Sequence, residues 1–191
     1  GGMVLEYSHP TLTNVTLIDN IDLNSLGGGM LLMGSNPIIR NSRIMNNHVT
    51  QSDVSHYSHG IYLLNSDPIL INVIISGNTG FRGPGMYISG ELGGASNPML
   101  INVSIVNNDP GCQAWYGGDD CKDQGIYIDA YGGGHQPTII NSIIWGQSDG
   151  AIVLEDPDIA PIVSYSNIDG GWEGEGNIYL DPFFTDPENG Y

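Results

Sequence analysis

The residues best suited to chemistry lie in two polar insertions of the 191-residue chain, at 48–59 and 109–124. The first insertion holds His48, His56 and His59, and the last two together with Asp53 could ligate a metal ion. No strong metal-binding spacing accompanies them, and exposed loop histidines are more often solvated. We therefore expect no metal or catalytic role for this insertion.

The second insertion contains both cysteines, Cys112 and Cys121. A disulfide between them is favoured because the loop is long, polar and otherwise unsupported. Closing a loop of this size would contribute roughly 2.5–3 kcal/mol by restricting the unfolded chain. The alternative is two unpaired thiols, since two cysteines without a second pair or a neighbouring histidine are a weak metal signal.

Carboxylates and aromatic rings share the same insertion. Asp119, Asp120 and Asp123 could bind Ca²⁺ with loop carbonyls, because hard oxygen ligands suit a hard cation. Trp115 and Tyr116 could stack on sugar rings. The alternatives are solvated charge that keeps the protein soluble and rings that pack the loop onto the body of the protein. No cofactor is required, and Ca²⁺ is the only one that the sequence suggests.

The elements that must position these insertions are repeats. SNPIIRN at 35–41 returns as SDPILIN at 66–72 and as SNPMLIN at 96–102, and looser copies extend the series to six. Each copy follows a short apolar run that begins with glycine, except for the sixth, which begins with Ala151. Tyr165 stands four residues after the proline of the sixth copy. In the first five copies this place holds an asparagine: Asn14, Asn41, Asn72, Asn102 and Asn141.

A period of two within these runs separates an inner from an outer face. The predicted inner residues are bulky and aliphatic in every copy. In the first run they include Leu32, Leu63 and Ile88; in the second run they are Leu12, Ile39, Leu70, Leu100, Ile139 and Val163. Because one repeat cannot bury this face alone, we expect the repeats to stack into a solenoid.

The pattern therefore predicts an all-β fold, a single-stranded parallel β-helix of about six rungs, with a rise of about 4.8 Å per rung. Asparagine tolerates the left-handed backbone of a turn between strands. Stacked in one slot, the five asparagines would form an amide ladder along the axis.

The G-[MI]-x-[LI] … [SN]-x-P-x-[LI]-x-N-x-x-I pattern and the tail at 174–191 resemble right-handed parallel β-helix repeat proteins, many of them secreted or surface-attached bacterial proteins. The resemblance covers nearly the whole chain. It implies rungs over 1–169 and a C-terminal capping tail over 170–191. The same coil carries lyases, hydrolases, adhesins and passive surface fibres, so the resemblance specifies the fold more than the function.

An enzyme interpretation finds little support in the residues. Lyases of this fold that act on acidic sugars need basic side chains, and the whole basic complement is Arg40, Arg43, Arg82 and Lys122. Hydrolases of this fold pair aspartates with a Gly-His-Gly element and a basic motif. Here GGDD at 117–120 and SHG at 58–60 stand in the reverse order, and the basic motif is missing. We predict no catalytic residues.

The outer slot of the first strand offers a different hypothesis. It holds an apolar or aromatic residue in every copy: Val4, Leu31, Tyr62, Tyr87, Tyr127 and Val153. An exposed stripe of this kind is typical of an interaction surface for a protein neighbour or a glycan. Its alternative is purely structural, because stacked tyrosines stabilise a sheet without any partner.

Composition narrows the setting. Four basic residues against 21 acidic ones give a net charge of −17, so nucleic acid and anionic membranes are poor partners. No apolar run reaches transmembrane length. We expect a non-catalytic extracellular or cell-surface structural module that self-associates or belongs to a fibre, an adhesin or a longer chain. The alternative is a carbohydrate-binding or polysaccharide-degrading β-helix.

Overall fold

The computed structural model describes residues 1–22, 27–49, 60–80, 82–109, 125–147 and 150–185, and within these ranges every regular element is a β-strand. The strands are β1 (Met3–Glu6), β2 (Thr11–Thr13), β3 (Thr16–Ile18), β4 (Ile21–Asp22), β5 (Met30–Met33), β6 (Ile38–Met45), β7 (His48–Val49), β8 (Ile61–Leu64), β9 (Ile69–Ser76), β10 (Met86–Ser89), β11 (Met99–Ile101), β12 (Ser104–Val106), β13 (Ile126–Ile128), β14 (Thr138–Ile140), β15 (Ile143–Trp145), β16 (Ile152–Leu154), β17 (Ile162–Ser164) and β18 (Asn167–Ile168).

The first strand of each repeat enters one parallel sheet. Its order, β1-β5-β8-β10-β13-β16, follows the order of the repeats along the chain. The predicted register is observed, with Val4 opposite Leu31, Leu31 opposite Tyr62, Tyr62 opposite Tyr87, Tyr87 opposite Tyr127 and Tyr127 opposite Val153.

The second and third strands of each repeat form a parallel ten-stranded sheet, in which the long strands β6 and β9 run through both positions. β4 and β7 form a small parallel pair. The chain is thus all-β, and its parallel stacking of successive repeats is β-helix-like.

The predicted inner face is the core. Ile39, Leu70, Leu100 and Ile139 have no exposed surface, and Val163 has 4%. Leu12, the equivalent residue of the first repeat, is only partly buried. Burying one such side chain contributes about 1.5–3 kcal/mol, so the stacked column supplies much of the stability.

The glycine that precedes the first strand of a repeat is required for steric reasons. A Cβ on Gly29, Gly60 or Gly85 would lie 2.5, 2.7 or 2.4 Å from the carbonyl oxygen of the glycine in the next repeat. Successive repeats are therefore too close for any side chain in this slot. The last repeat has Ala151 there, and its methyl group lies on the side where a further repeat would stack.

The asparagines adopt the left-handed backbone that the pattern predicts. The φ angles of Asn14, Asn41, Asn72, Asn102 and Asn141 lie between 50° and 58°, and Tyr165 follows with 52°. The Asn72 amide donates to Asn41 Oδ1 at 3.0 Å, and the Asn102 amide donates to Asn72 Oδ1 at 3.2 Å.

The segment after Gly170 lies against the last repeat. Backbone hydrogen bonds run from Tyr165 N to Glu175 O at 2.7 Å, from Ile178 N to Ser166 O at 2.9 Å and from Ile168 N to Ile178 O at 3.1 Å. The Tyr165 hydroxyl also donates to the Glu175 carboxylate, which raises the pKa of Tyr165.

Candidate functional site

The outer face of the first sheet corrects the predicted exposed stripe. Leu31, Tyr62, Tyr87 and Tyr127 are buried, with 3–8% of their surface exposed, and Val153 is half-buried. Only Val4, with 56% exposed, has the predicted accessibility. The prediction is wrong because strand alternation identifies an outer face but not whether other segments cover it.

Ring stacking and backbone cover explain this burial. The Tyr62 and Tyr87 rings stack with centroids 5.1 Å apart, and Tyr87 and Tyr127 stack at 5.3 Å. Gly83 has a φ of +56°, and a Cβ there would lie 2.7 Å from the Tyr127 Cβ. The Gly83 backbone thus lies directly on the stripe, where no side chain would fit.

A buried carboxylate holds the hydroxyl of the middle tyrosine of the stack. Asp129 is 6% exposed and accepts hydrogen bonds from the Tyr87 hydroxyl at 2.7 Å, the Ser89 hydroxyl at 3.1 Å and the Tyr131 backbone N–H at 2.6 Å. Burial raises the pKa of Asp129, but hydrogen bonds from Tyr87, the Tyr131 backbone, Glu155 and Ser89 outweigh burial and hold this pKa below its usual value.

Glu155 and Arg82 complete this cluster. The Arg82 guanidinium lies 5.6 Å from the Tyr127 ring centroid and 3.9 Å from Glu155 Oε1, while the Ala130 N–H donates to Glu155 Oε2 at 3.0 Å. Burial raises the pKa of Tyr127; Arg82 opposes this rise, and the Glu155 and Asp129 carboxylates add to it.

The chemistry open to this cluster is limited. Asp129 accepts hydrogen bonds from the Tyr87 and Ser89 hydroxyls and from the Tyr131 backbone. Glu155 accepts one from the Ala130 backbone and lies beside Arg82, so both carboxylates are already engaged by the protein. The arrangement is that of an anchor for the tyrosine stack, and it gives no support to glycoside hydrolysis at this position.

A second asparagine ladder, which the sequence prediction missed, lies inside the protein. Asn47, Asn78 and Asn108 are at most 2% exposed. The Asn47 amide donates to Asn78 Oδ1 at 2.8 Å, and the Asn78 amide donates to Asn108 Oδ1 at 2.9 Å. Asn20 joins from the first repeat, where its amide donates to Asn47 Oδ1 at 2.8 Å.

A signal for this inner ladder is present in the sequence. Each member follows the turn asparagine of its repeat by six residues, from Asn14 to Asn20 through Asn102 to Asn108. In the fifth repeat this position is Gln147, whose side-chain N–H donates to Ile105 O at 3.3 Å. Its Oε1 is buried and has no hydrogen-bond partner among the described residues.

A buried serine ladder lies two residues before the repeated prolines. The Ser35 hydroxyl donates to Met33 O at 2.9 Å and accepts the Ser8 N–H at 3.0 Å; Ser66 and Ser96 repeat this arrangement. His135 continues the ladder with its ring, because Nδ1 accepts the Ser96 N–H at 2.9 Å and Nε2 contacts Tyr131 O at 2.7 Å. This geometry requires the neutral tautomer with the proton on Nε2.

A groove with a volume of about 420 Å³ opens on the outer side of the turn asparagines. It is lined by Asn14, Thr16, Asn41, Ser42, Arg43, Asn72 and Ile74. Arg40 is exposed on the strand that leads into the Asn41 turn, and Arg43 follows that turn on the same strand, so the two arginines lie on either side of it.

Several predicted site residues lie outside the described residues: Cys112, Trp115, Tyr116, Asp119, Asp120, Cys121, Asp123, Asp53, His56 and His59. The disulfide, the Ca²⁺ site and the glycan contact therefore stay predictions. His48 is described, and its Nδ1 lies 2.8 Å from Thr79 Oγ1 on the surface. The described ranges contain no group of three or more histidine or acidic side chains positioned to hold a metal ion.

The fold and these sites define an all-β, β-helix-like chain, and comparisons add no relative. No protein-family model matches the chain, and no curated protein or solved structure is significantly similar to it. In the described parts of the chain, no helix is long and apolar enough to span a membrane.

Proposed function

We propose that the chain is a single-stranded right-handed parallel β-helix of about six rungs and that it serves as a non-catalytic, extracellular structural module that self-associates. The observation that carries the proposal is the outer edge of β1, which pairs with no strand of the described part of the chain. The inner-face residues Met3, Leu5, Leu12 and Leu17 of the first repeat stay partly exposed, whereas their equivalents in the middle repeats are buried.

The backbone of this edge is suited to pairing. The N–H groups of Met3 and Tyr7 donate inward to Gly29 O and Met33 O. Because N–H groups alternate in direction along a strand, those of Val4 and Glu6 point away from the sheet. Unpaired strand edges of this kind are templates for another strand.

The opposite end disfavours a head-to-tail filament. Residues 175–180 cover the last repeat of the ten-stranded sheet, and the Ala151 methyl group occupies the slot where stacked repeats require glycine. The occupant that we propose for the N-terminal edge is therefore the same edge of a second copy. A two-fold dimer would pair the two β1 edges with each other and so close this contact.

Charge sets the conditions for association. At −17, two copies repel each other at low ionic strength, and salt reduces this repulsion because the Debye length falls from about 10 Å at 0.1 M to about 3 Å at 1 M. We expect sedimentation velocity to show a dimer whose population increases with salt and with protein concentration.

The test variant is Val4→Pro, which removes an outward N–H without removing a β1–β5 hydrogen bond. Val4→Thr is the matched control, since it keeps the N–H and the β-branched shape. We expect the dimer to be lost in Val4→Pro and kept in Val4→Thr, with unchanged circular dichroism in both.

Leu180→Ser tests the other end, where Ile178, Leu180 and Phe183 are 49%, 64% and 82% exposed. A dimer lost in Leu180→Ser but kept in Val4→Pro would contradict the proposed interface. If the unsubstituted protein stays monomeric at high salt and high protein concentration, the proposed self-association is wrong.

A further inference from the structure

Residues 129–136 connect β13 to β14 and form what we call the glycine loop. Its middle residues Gly132, Gly133 and Gly134 have φ angles of +86°, +68° and +73°, and a Cβ placed on Gly133 or Gly134 would meet no other part of the described chain. Tyr131 beside them is 73% exposed. The middle of the loop thus has few contacts, so the contacts near its two ends must hold it in place.

Two carboxylates hold the N-terminal end of the glycine loop. Asp129 Oδ1 accepts the Tyr131 N–H at 2.6 Å, and Glu155 Oε2 from the following repeat accepts the Ala130 N–H at 3.0 Å. The pKa of Asp129 lies below its usual value because its hydrogen bonds outweigh the effect of burial. Asp129 therefore keeps its charge in mild acid.

His135 holds the C-terminal end of the loop in a step of the serine ladder that depends on pH. In the step before it, the Ser96 hydroxyl oxygen accepts the Ser66 N–H at 2.9 Å, and a hydroxyl accepts at any ordinary pH. The Ser96 N–H is accepted instead by His135 Nδ1 at 2.9 Å, where the ring is 1% exposed. A protonated imidazole carries an N–H on both nitrogens and accepts nothing, so the buried Ser96 N–H would face a second donor.

The surroundings of His135 are acidic, although its two ring nitrogens face backbone groups. Nδ1 faces the Ser96 N–H and Nε2 faces Tyr131 O at 2.7 Å. A Cβ on Gly90 would lie 3.1 Å from His135 Cε1, so the turn at 90–94 packs on the ring. The titratable groups on the surrounding elements are Asp129 and Tyr131 in the loop, Glu91 in the turn at 90–94, Asp67 on the Asn97 N–H, and Glu155 with Arg82 beside it. A positive ring is attracted to these carboxylates but has no acceptor for Nδ1–H in its buried place, and moving out to solvent satisfies both.

We propose that protonation of His135 opens the C-terminal end of the glycine loop. The ring leaves its buried site, the Ser96 N–H loses its acceptor, and the loop separates from the turn at 90–94 while β10 and β13 stay paired. Histidine is the side-chain type that changes charge between about pH 5 and pH 8, so the opening is a local response to mild acid. It is independent of the proposed self-association, because the loop belongs to the fourth and fifth repeats and not to β1.

The experiment is NMR spectroscopy of the full chain between about pH 5 and pH 8. The Cε1–H shift of His135 reports protonation of the ring, and amide hydrogen exchange, divided by the intrinsic rate at each pH, reports protection of the Ser96 and Ser66 N–H groups. We expect the protection of Ser96 to fall about tenfold or more with the midpoint of the ring titration, while Ser66 keeps its protection. A ring that stays neutral throughout, a constant protection of Ser96, or equal losses at Ser96 and Ser66 would overturn the proposal.

Three variants identify the group responsible. His135→Ser supplies the residue that the ladder uses in the preceding repeats, and the protection of Ser96 should then be constant over this pH range. His9→Ser is the matched control, since His9 Nδ1 also accepts a backbone N–H, that of Asn36 at 3.0 Å, but on the surface of the first repeat; the change at Ser96 should persist. Asp129→Asn should also keep it. If the pH dependence survives in His135→Ser and is lost in Asp129→Asn, a carboxylate controls the loop and the proposal is wrong.

Discussion

The inner face of the repeats is covered to different extents at the two ends of the molecule. At the C-terminal end, residues 175–180 hydrogen-bond to the last repeat, and Val163 and Ile168 have only 4% and 1% of their surface exposed. At the N-terminal end, the equivalent residues Leu12 and Leu17 stay partly exposed. A repeat buries its inner face only when something lies on both sides of it, so the difference measures what a neighbour contributes.

Glycine makes the same distinction between the ends. Glycine is needed wherever a further repeat stacks, as at Gly29, Gly60 and Gly85. The exception, Ala151, is in the last repeat. At the C-terminal end a methyl group and the hydrogen bonds of residues 175–180 thus oppose a further repeat, whereas Gly2 of the first repeat is required by the second repeat, since a Cβ there would lie 2.8 Å from Gly29 O.

The largest expected effect comes from one substitution made at two positions of the same column. Leu100→Ala removes a fully buried side chain and should lower the free energy of unfolding by about 2–5 kcal/mol. Leu12→Ala should cost clearly less, because its site is partly exposed and leaves a smaller cavity. Urea unfolding monitored by circular dichroism measures both, and equal losses would show that the first repeat is as well covered as the fourth.

The sequence predicted the parts of the fold that repeat strictly. These parts are the core column, the strand register and the left-handed asparagines. Each depends on a residue type that recurs once per repeat, so the sequence shows the same physical requirement five or six times. The exceptions were also visible in the sequence, since Ala151 and Tyr165 both depart from the pattern in the last repeat.

The features that the sequence prediction missed depend on contacts between repeated and non-repeated segments. The tyrosine stripe was expected to be exposed because strand alternation does not show that Gly83 and Arg82 lie over Tyr127. The Asp129 site combines Tyr87 from one repeat with residues of the next. The inner asparagine ladder did have a usable signal, the constant six-residue spacing from each turn asparagine, and that spacing was overlooked.

The next prediction concerns the outer face of the first sheet, which is apolar at Val4 and Leu31 but anchored by a carboxylate near its C-terminal end. The folded-state pKa of Asp129 is lowered, so its contribution to stability is present above the unfolded pKa of about 3.9 and is lost as the pH falls through the folded pKa. Asp129→Asn should cost about 1.5 kcal/mol near neutral pH and reduce the loss of stability on acidification.

Tyr87→Phe sharpens this test because it keeps the ring stack and removes the hydroxyl donor. The Asp129 pKa should then rise, and acid unfolding should begin at a higher pH than in the parent. An NMR titration of the Asp129 carboxyl measures the shift directly. An unchanged pKa in Tyr87→Phe would contradict the anchoring role assigned to the Tyr87–Asp129 hydrogen bond.

The C-terminal closure should depend on Asn177. Its Oδ1 accepts the Ser166 N–H at 3.0 Å, and its amide donates to Val163 O at 3.0 Å. Asn177→Ala should lower the free energy of unfolding by about 1 kcal/mol and accelerate amide hydrogen exchange at Ser166. Asn20→Ala is the matched control at the N-terminal end. It should leave the hydrogen-exchange rate at Ser166 unchanged. Slow exchange at Ser166 in Asn177→Ala would show that the tail is held by other contacts.

The smallest effect is a gain. The inner asparagine ladder is continuous from Asn20 to Asn108 and then meets Gln147, whose Oε1 is buried without a hydrogen-bond partner in the described part of the chain. Gln147→Asn places the amide at the length used by the preceding repeats, and an added buried hydrogen bond should raise the free energy of unfolding by about 0.5–1.5 kcal/mol. Gln147→Ala is the control, since it removes the unsatisfied oxygen without extending the ladder. If both variants stabilise the protein equally, removal of the buried oxygen explains the gain; stabilisation by asparagine alone shows that the ladder itself holds the repeats together.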